Sequence, residues 1–353
     1  MTPIQICNRI APLSSDVELQ ALHQYGNCPL LHQPPDQTTI LLLEGMKTFG
    51  RTGNNIIEFI HALQYGRDHN VLVGVMRGSW PTHLITEMWM SLPNRDWNAW
   101  AILMEQSFCI KMIESADQLD LYQKVIQMDT RDLFIYRHKA DLDNYVEFTS
   151  HVIRTLWRYY NNGSGMNILK HPTRDMCSVM DTIFGTAKSE AINSAIYSVV
   201  HSRSFEGKAG HPLMDRIAAS IGCDPIAALE MEPEYVKGIL EPLGMLQHPI
   251  YFISDHQRPE ILDRLLADPE IGPLIHLVPE EASWIGGDIT LAINANVFIG
   301  SPASTFSGFI AKSRVALGYN NNFLFRKRIR DGTWVEVCDY RCVFDKDVLK
   351  SMA

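Results

Sequence analysis

The chain has 353 residues, of which 31 are basic and 40 acidic, for a formal net charge of -9. Hydrophobic residues make up 46% and charged residues 20%, which excludes intrinsic disorder, collagen and a whole-chain coiled coil. The acidic balance argues against a nucleic-acid partner, and the length favours two domains that fold without a metal or disulfide staple.

Residues 1–37 read as a peripheral arm ending at Pro34-Pro35-Asp36. Thr38 to Leu43 is an apolar run of strand length. Gly50-Arg51-Thr52-Gly53-Asn54-Asn55 follows, and then Ile56, Ile57, Phe59, Ile60, Leu63 and Tyr65 recur at helical spacing. Val71 to Met76 is the next strand. This order of strand, glycine-rich turn, helix and strand is that of a parallel sheet.

Further on, 82–90 and 97–108 read as helical, 123–128 as a strand, 144–160 as a one-sided helix and 176–191 as helix-like. The second half alternates again. Ala195 to Val200 reads as a strand with polar residues starting at His201, and Ile250 to Ser254 as another, with a helix from about 259. A weaker strand lies in 271–278, a short helix at 288–294, a strand at 297–299 and a helix at 304–313; Arg314 to Leu317 begins the last strand. The pattern predicts an α/β protein with an N-terminal Rossmann-like domain (38–192), a C-terminal one (193–320) and an extension (321–353), the two parallel sheets facing a ligand cleft.

Three clusters carry candidate chemistry. In Gly50–Asn55 the glycines Gly50 and Gly53 permit close backbone approach, and Asn54 and Asn55 add amides; the bland alternative is a tight turn with an Asn cap. The spacing is neither GxGxxG nor GxxxxGK[ST], which weakens dehydrogenase and P-loop readings. His201-Ser202-Arg203-Ser204-Phe205-Glu206 sits at the carboxyl end of an expected strand, where open α/β sheets bind ligands. Arg203 offers a planar fork suited to a diphosphate, and Glu206 either orients it or acts as a base; the alternative is an exposed turn with an incidental ion pair. Gly300 to Ser307 opens a helix with Ser304, Thr305 and Ser307, a phosphate cradle without lysine, or simply a helix capped by Ser304. Asp255, Glu260, Asp263, Asp268 and Glu270 read mostly as the solvent face of a helix.

Seven cysteines without a CxxC pair leave a zinc site unsupported and at least one thiol unpaired; they fit a reducing compartment or one or two disulfides in a secretory lumen. Arg326, Lys327, Arg328 and Arg330 form a solvated turn or a ligand surface. The amino terminus lacks a basic segment before an apolar run, and no apolar run reaches membrane length. The chain therefore reads as soluble, in an ER or Golgi lumen if trimmed from an anchored eukaryotic precursor and cytoplasmic otherwise.

Taken in order, GRTGNN at 50–55, HSR at 201–203 and ANVFIGSPASTFS at 295–307 resemble the motifs of the GDP-fucose-dependent fucosyltransferases, the superfamily of protein O-fucosyltransferases and α1,2- and α1,6-fucosyltransferases. The resemblance implies a GT-B-like fold and metal-independent, inverting transfer of fucose from GDP-fucose to a protein or glycan hydroxyl, with no cofactor beyond the donor. It implies that Arg203 binds the diphosphate and steadies the leaving group, with His201 beside it. It places Gly50, Arg51, Gly53 and Asn54 at the donor, with Asn54 facing donor and acceptor. Ser304, Thr305 and Phe306 would hold phosphate and nucleoside, Asp288 the purine edge, and Glu206 would be the acidic residue of an HxRxxD variant. Asn55 departs from the usual glutamine. A transferase using another nucleotide sugar, and an inactive nucleotide- or sugar-binding module, are the alternatives.

Overall fold

The computed structural model describes residues 28–43, 52–77, 105, 108–128, 132–133, 148–153, 196–203, 231–278, 285–301, 304–316, 319, 321–323, 325–328 and 334–338. The chain divides into two compact units, Asn8–Met176 and Cys177–Ala353 together with Met1–Cys7.

In the first unit, β1 (Thr39–Leu43), β2 (Leu72–Met76), β3 (Ile110–Ile113) and β4 (Lys124–Gln127) form a parallel sheet in the order β3-β2-β1-β4. Ile40 to Leu43 are buried on both faces, which is why β1 reads as a continuous apolar run rather than an alternating one. Helix α1 (Thr52–His69) connects β1 to β2 and buries Ile57, Phe59, Ile60 and Leu63. Its last turns lie close on β2: a Cβ at Gly66 would stand 2.7 Å from Val73 Cγ2 and 2.8 Å from the Val71 carbonyl oxygen. A disulfide joins Cys28 to Cys109, 81 residues apart, and ties the segment before β1 to the start of β3. The sequence left the pairing of these two cysteines open.

In the second unit, β5 (Ser198–Ser202), β6 (Ile250–Ser254), β7 (Ile275–Leu277), β8 (Val297–Ile299) and β9 (Asn322–Phe323) form a parallel sheet ordered β7-β6-β5-β8-β9. Helices α2 (Pro233–Leu240), α3 (Pro259–Ala267), α4 (Ile285–Asn294) and α5 (Thr305–Ala316) accompany it. Val200, Phe252, Val297 and Ile299 pack with Val236, Leu240, Ile261 and Leu265 in one core. In both sheets the first strand passes to its neighbours on one side and a later strand returns on the other. That topological switch point, β1/β4 in one unit and β5/β8 in the other, is where open α/β sheets receive ligands.

Several expectations change. β5 runs past the expected strand end at Val200 to include His201 and Ser202, because their backbone groups continue the parallel ladder to β6. Arg314 to Ala316 are the last turn of α5 rather than a strand, since Arg314 is turned inward to hydrogen-bond partners (below). The basic run Arg326–Arg328 is not a turn: it forms β10 (Phe325–Arg328), paired antiparallel to β11 (Trp334–Cys338), with Arg326 opposite Glu336. Strand β3 and helix α2 had no counterpart in the sequence reading. The helices expected over 82–90 and 176–191, and nearly all of that over 97–108, lie outside the described residues; within 144–160, residues 148–153 are helical.

Candidate functional site

Two of the three sequence clusters meet at the switch point of the second sheet. His201 lies near the end of β5, one residue past the last one paired to β8, and Ser307 lies in the first turn of α5, the helix that follows β8. Ser307 Oγ stands 2.6 Å from His201 Nδ1, across 106 residues of sequence. The Ser301 amide donates to the same hydroxyl oxygen at 2.9 Å. Both side chains are buried, Ser307 wholly. Burial pushes the His201 imidazole pKa down to about 3, the adjacent Arg203 cation adds to this, and Asp255 opposes it. The ring is therefore neutral at physiological pH. The Phe306 ring, partly exposed, packs against it with centroids 5.1 Å apart.

Arg203 Nη1 donates to Asp255 Oδ2 at 2.6 Å, with the two side chains 17% and 14% exposed. Partly shielded, this pair is held more firmly than a surface ion pair. The register explains it. Ser202 stands opposite Ser254 in the β5–β6 ladder, so Arg203 and Asp255 are the next residues past neighbouring strand ends. Asp255 is thus not on a solvent-facing helix surface, as the sequence reading had it, but pairs with a residue of the candidate site, a partnership that reading missed. The signal was available: both residues directly follow strands of matching length and end. Asp255 Oδ1 also accepts from the Gln257 amide, and Ser254 Oγ from that of His256, whose φ of 55° places it in the left-handed region.

The start of α5 is capped. The Ser307 amide donates to Ser304 Oγ at 3.3 Å and the Gly308 amide to the Ser304 carbonyl at 2.9 Å. Ser304 therefore performs the ordinary capping duty, and its hydroxyl proton is still a donor. The amides of Thr305 and Phe306 have no carbonyl within the helix to meet, which gives the helix start its affinity for anions. Ser301 Oγ is buried and has no hydrogen-bond partner among the described residues, an acceptor and donor waiting for a polar group.

Asp288 lies in the first turn of α4, which packs against α5 and β5. Loss of hydration raises its pKa to about 7. The two helices are locked by Arg314, which is wholly buried. Its Nη1 donates to the carbonyls of Ala292 (3.0 Å), Ile293 (2.8 Å) and Ala295 (2.6 Å), and its Nε to Asn322 Oδ1 on β9. Burial lowers its pKa to about 10, so it stays charged at physiological pH while closing the carbonyl end of α4.

The structure thus gathers His201, Arg203, Ser304, Thr305, Phe306 and Ser307, and adds Asp255 and the buried hydroxyl of Ser301. Gly53 and Asn54 lie within the first turn of α1 rather than before it. Gly50, Arg51 and Glu206 lie outside the described residues. Among the described residues, no three His, Cys, Asp or Glu side chains gather as a metal-ligand set, and no helix is long and apolar enough to cross a membrane.

No protein-family model matches the sequence, and no curated protein matches it. Among solved structures, the chain is similar to POFUT1 in complex with GDP, at 11% identity over 82% of this chain and 97% of that one, with a TM-score of 0.38. A further crystal form of the same complex gives 13% identity, 81% and 97% coverage and a TM-score of 0.34. A glycosyl transferase family 9 structure from Veillonella parvula DSM 2008 gives 9% identity, 82% and 81% coverage and a TM-score of 0.31. Likeness at this level leaves the chemistry to the residues above.

Proposed function

We propose that the chain is an inverting glycosyltransferase that takes fucose from GDP-fucose to a hydroxyl of a protein or glycan. The observation that carries this reading is the meeting of the HSR and SPASTFS segments at the β5/β8 switch point through His201 and Ser307. It sets a cation, a neutral imidazole and an open helix start around one place at the carboxyl edge of the sheet. That combination suits a sugar-linked diphosphate, whose leaving charge needs neutralising.

In the reaction, an acceptor hydroxyl oxygen attacks the anomeric carbon as the bond from that carbon to the β-phosphate oxygen breaks. The bonding electrons leave with GDP. Arg203, aimed by Asp255, and the amides of Thr305 and Phe306 meet the developing charge. The acceptor proton passes to Glu206 or to solvent. Phe306 lies against the nucleoside, Asp288 reads the purine edge, and Gly50, Arg51, Gly53 and Asn54 complete the donor side as the motif resemblance implies.

Calorimetric titration with GDP, UDP and NAD tests the reading, followed by turnover with a panel of nucleotide sugars. GDP alone should bind, and GDP-fucose alone should be consumed. Turnover of another sugar nucleotide selects the sister transferase; GDP binding without turnover of any donor selects a binding module. Arg203→Ala should abolish transfer and leave the fold unchanged by circular dichroism; normal transfer in that variant sinks the assignment.

A further inference from the structure

Ser307 entered the sequence analysis only as one hydroxyl of a phosphate cradle, yet its Oγ meets both the Ser301 amide and the His201 ring. It carries one proton and two lone pairs. The Ser301 amide can only donate, so it occupies a lone pair at 2.9 Å. Among the described residues, the remaining polar atom within hydrogen-bond distance of Ser307 Oγ is His201 Nδ1, at 2.6 Å. The Ser307 side chain is wholly buried, so its proton has no water to go to, and leaving it unpaired would be costly.

We propose that Ser307 is a positioning residue: its hydroxyl donates to Nδ1 of His201 and so fixes the imidazole as the Nε2–H tautomer, a permanent neutral donor for an anionic oxygen of the ligand. The inference rests on the donor-site reading only for what Nε2–H meets; the tautomer is a property of the chain alone. The charged groups bearing on the ring among the described residues are Arg203 and Asp255. The first opposes protonation and the second favours it, and the absence of bulk water decides for the neutral ring. His201 then neither accepts the proton of the attacking hydroxyl nor supplies one to the leaving group. Its service is to hold out one N–H in a fixed direction, like a backbone amide in an oxyanion hole.

The full chain labelled with 15N-histidine answers the question directly by long-range proton–nitrogen correlation. His201 should show an unprotonated Nδ1 and a protonated Nε2, unchanged between about pH 5.5 and 8.5. His61 serves as an internal contrast, since its Nδ1 faces the Leu133 carbonyl oxygen at 3.0 Å and must donate to it. In Ser307→Ala the His201 ring should lose its single tautomer. A protonated Nδ1, or a doubly protonated ring at neutral pH, in the unaltered chain overturns the proposal. A double-mutant cycle on GDP affinity supplies the functional readout. Ser307→Ala should weaken binding by roughly tenfold. Added to His201→Gln, whose amide offers an N–H and has no tautomers, it should cost less than about twofold. Equal losses in both backgrounds overturn the positioning role. Should the unaltered chain not bind GDP, the donor-site reading falls while the spectrum still decides the tautomer.

Discussion

The first unit is braced by a covalent bond and the second by a buried cation. Cys28–Cys109 joins the segment before β1 to β3, which stands at the end of its sheet, so the brace lies away from the β1/β4 switch point. Arg314 instead sits between α4, α5 and β9, the elements around the β5/β8 switch point. One brace protects a fold and the other protects a site. Reduction of Cys28–Cys109 should therefore act on the first unit and leave the residues around the β5/β8 switch point in place, while a single substitution in the second should remove both stability and the proposed binding.

The largest expected effect is that of Arg314→Met. It leaves carbonyls of residues 292, 293 and 295 and the Asn322 amide oxygen without their donor. At about 1–3 kcal/mol for each buried group deprived of a partner, the loss is on the order of 5 kcal/mol. Urea denaturation should show it, with GDP binding lost in parallel. Second, the Cys28→Ala, Cys109→Ala double variant should lose about 4 kcal/mol, because an 81-residue separation is no longer closed in the unfolded chain. Its GDP affinity should stay near that of the parent; loss of binding there would break the comparison.

Asp288 gives a smaller effect with a definite sign. Its folded pKa is raised to about 7, so above its ordinary value the folded chain holds a proton that the unfolded chain has released. Stability from this group is full below about pH 4 and falls as pH rises towards 7. Asp288→Asn should raise stability at pH 8 and leave it nearly unchanged at pH 4, as read from melting temperatures at the two values. The smallest effect is that of Ser304→Ala, about 1 kcal/mol for the lost cap, against a few tenths for Ser304→Gly. A loss near 3 kcal/mol in a melt would mean that the hydroxyl does more than cap.

The strands built from β-branched and aliphatic runs were legible in the sequence: β1, β2 and β6 lie where the apolar runs stand. Strand β3 was missed because IKMI is only four residues long and carries a lysine in its middle. Helix α2 is eight residues long and opens at Pro233, too short for its periodicity to stand out. The end of α5 was misread because Arg-Val-Ala-Leu looks extended locally, whereas the buried guanidinium makes its own helical context by capping α4. For the site, the residue types at two strand ends were readable. The partners were not: Asp255 and Ser307 acquire meaning only through register and strand order, which pair residues 52 and 106 positions away from Arg203 and His201.

That same separation has a consequence for how the molecule is made. Long-range pairings close slowly because the intervening chain must be ordered before the contact rewards it. During synthesis His201 emerges well before Ser307, and β5 has β6 to pair with before β8, its neighbour on the other side, has been made. Arg314 comes later still, and only then can the carbonyl end of α4 be closed. The candidate site is thus among the last parts of the second unit to be completed. A nucleotide that binds there draws on the finished fold alone and shifts the equilibrium towards it, so nucleotide present during refolding should raise the yield of native chain without speeding its first steps.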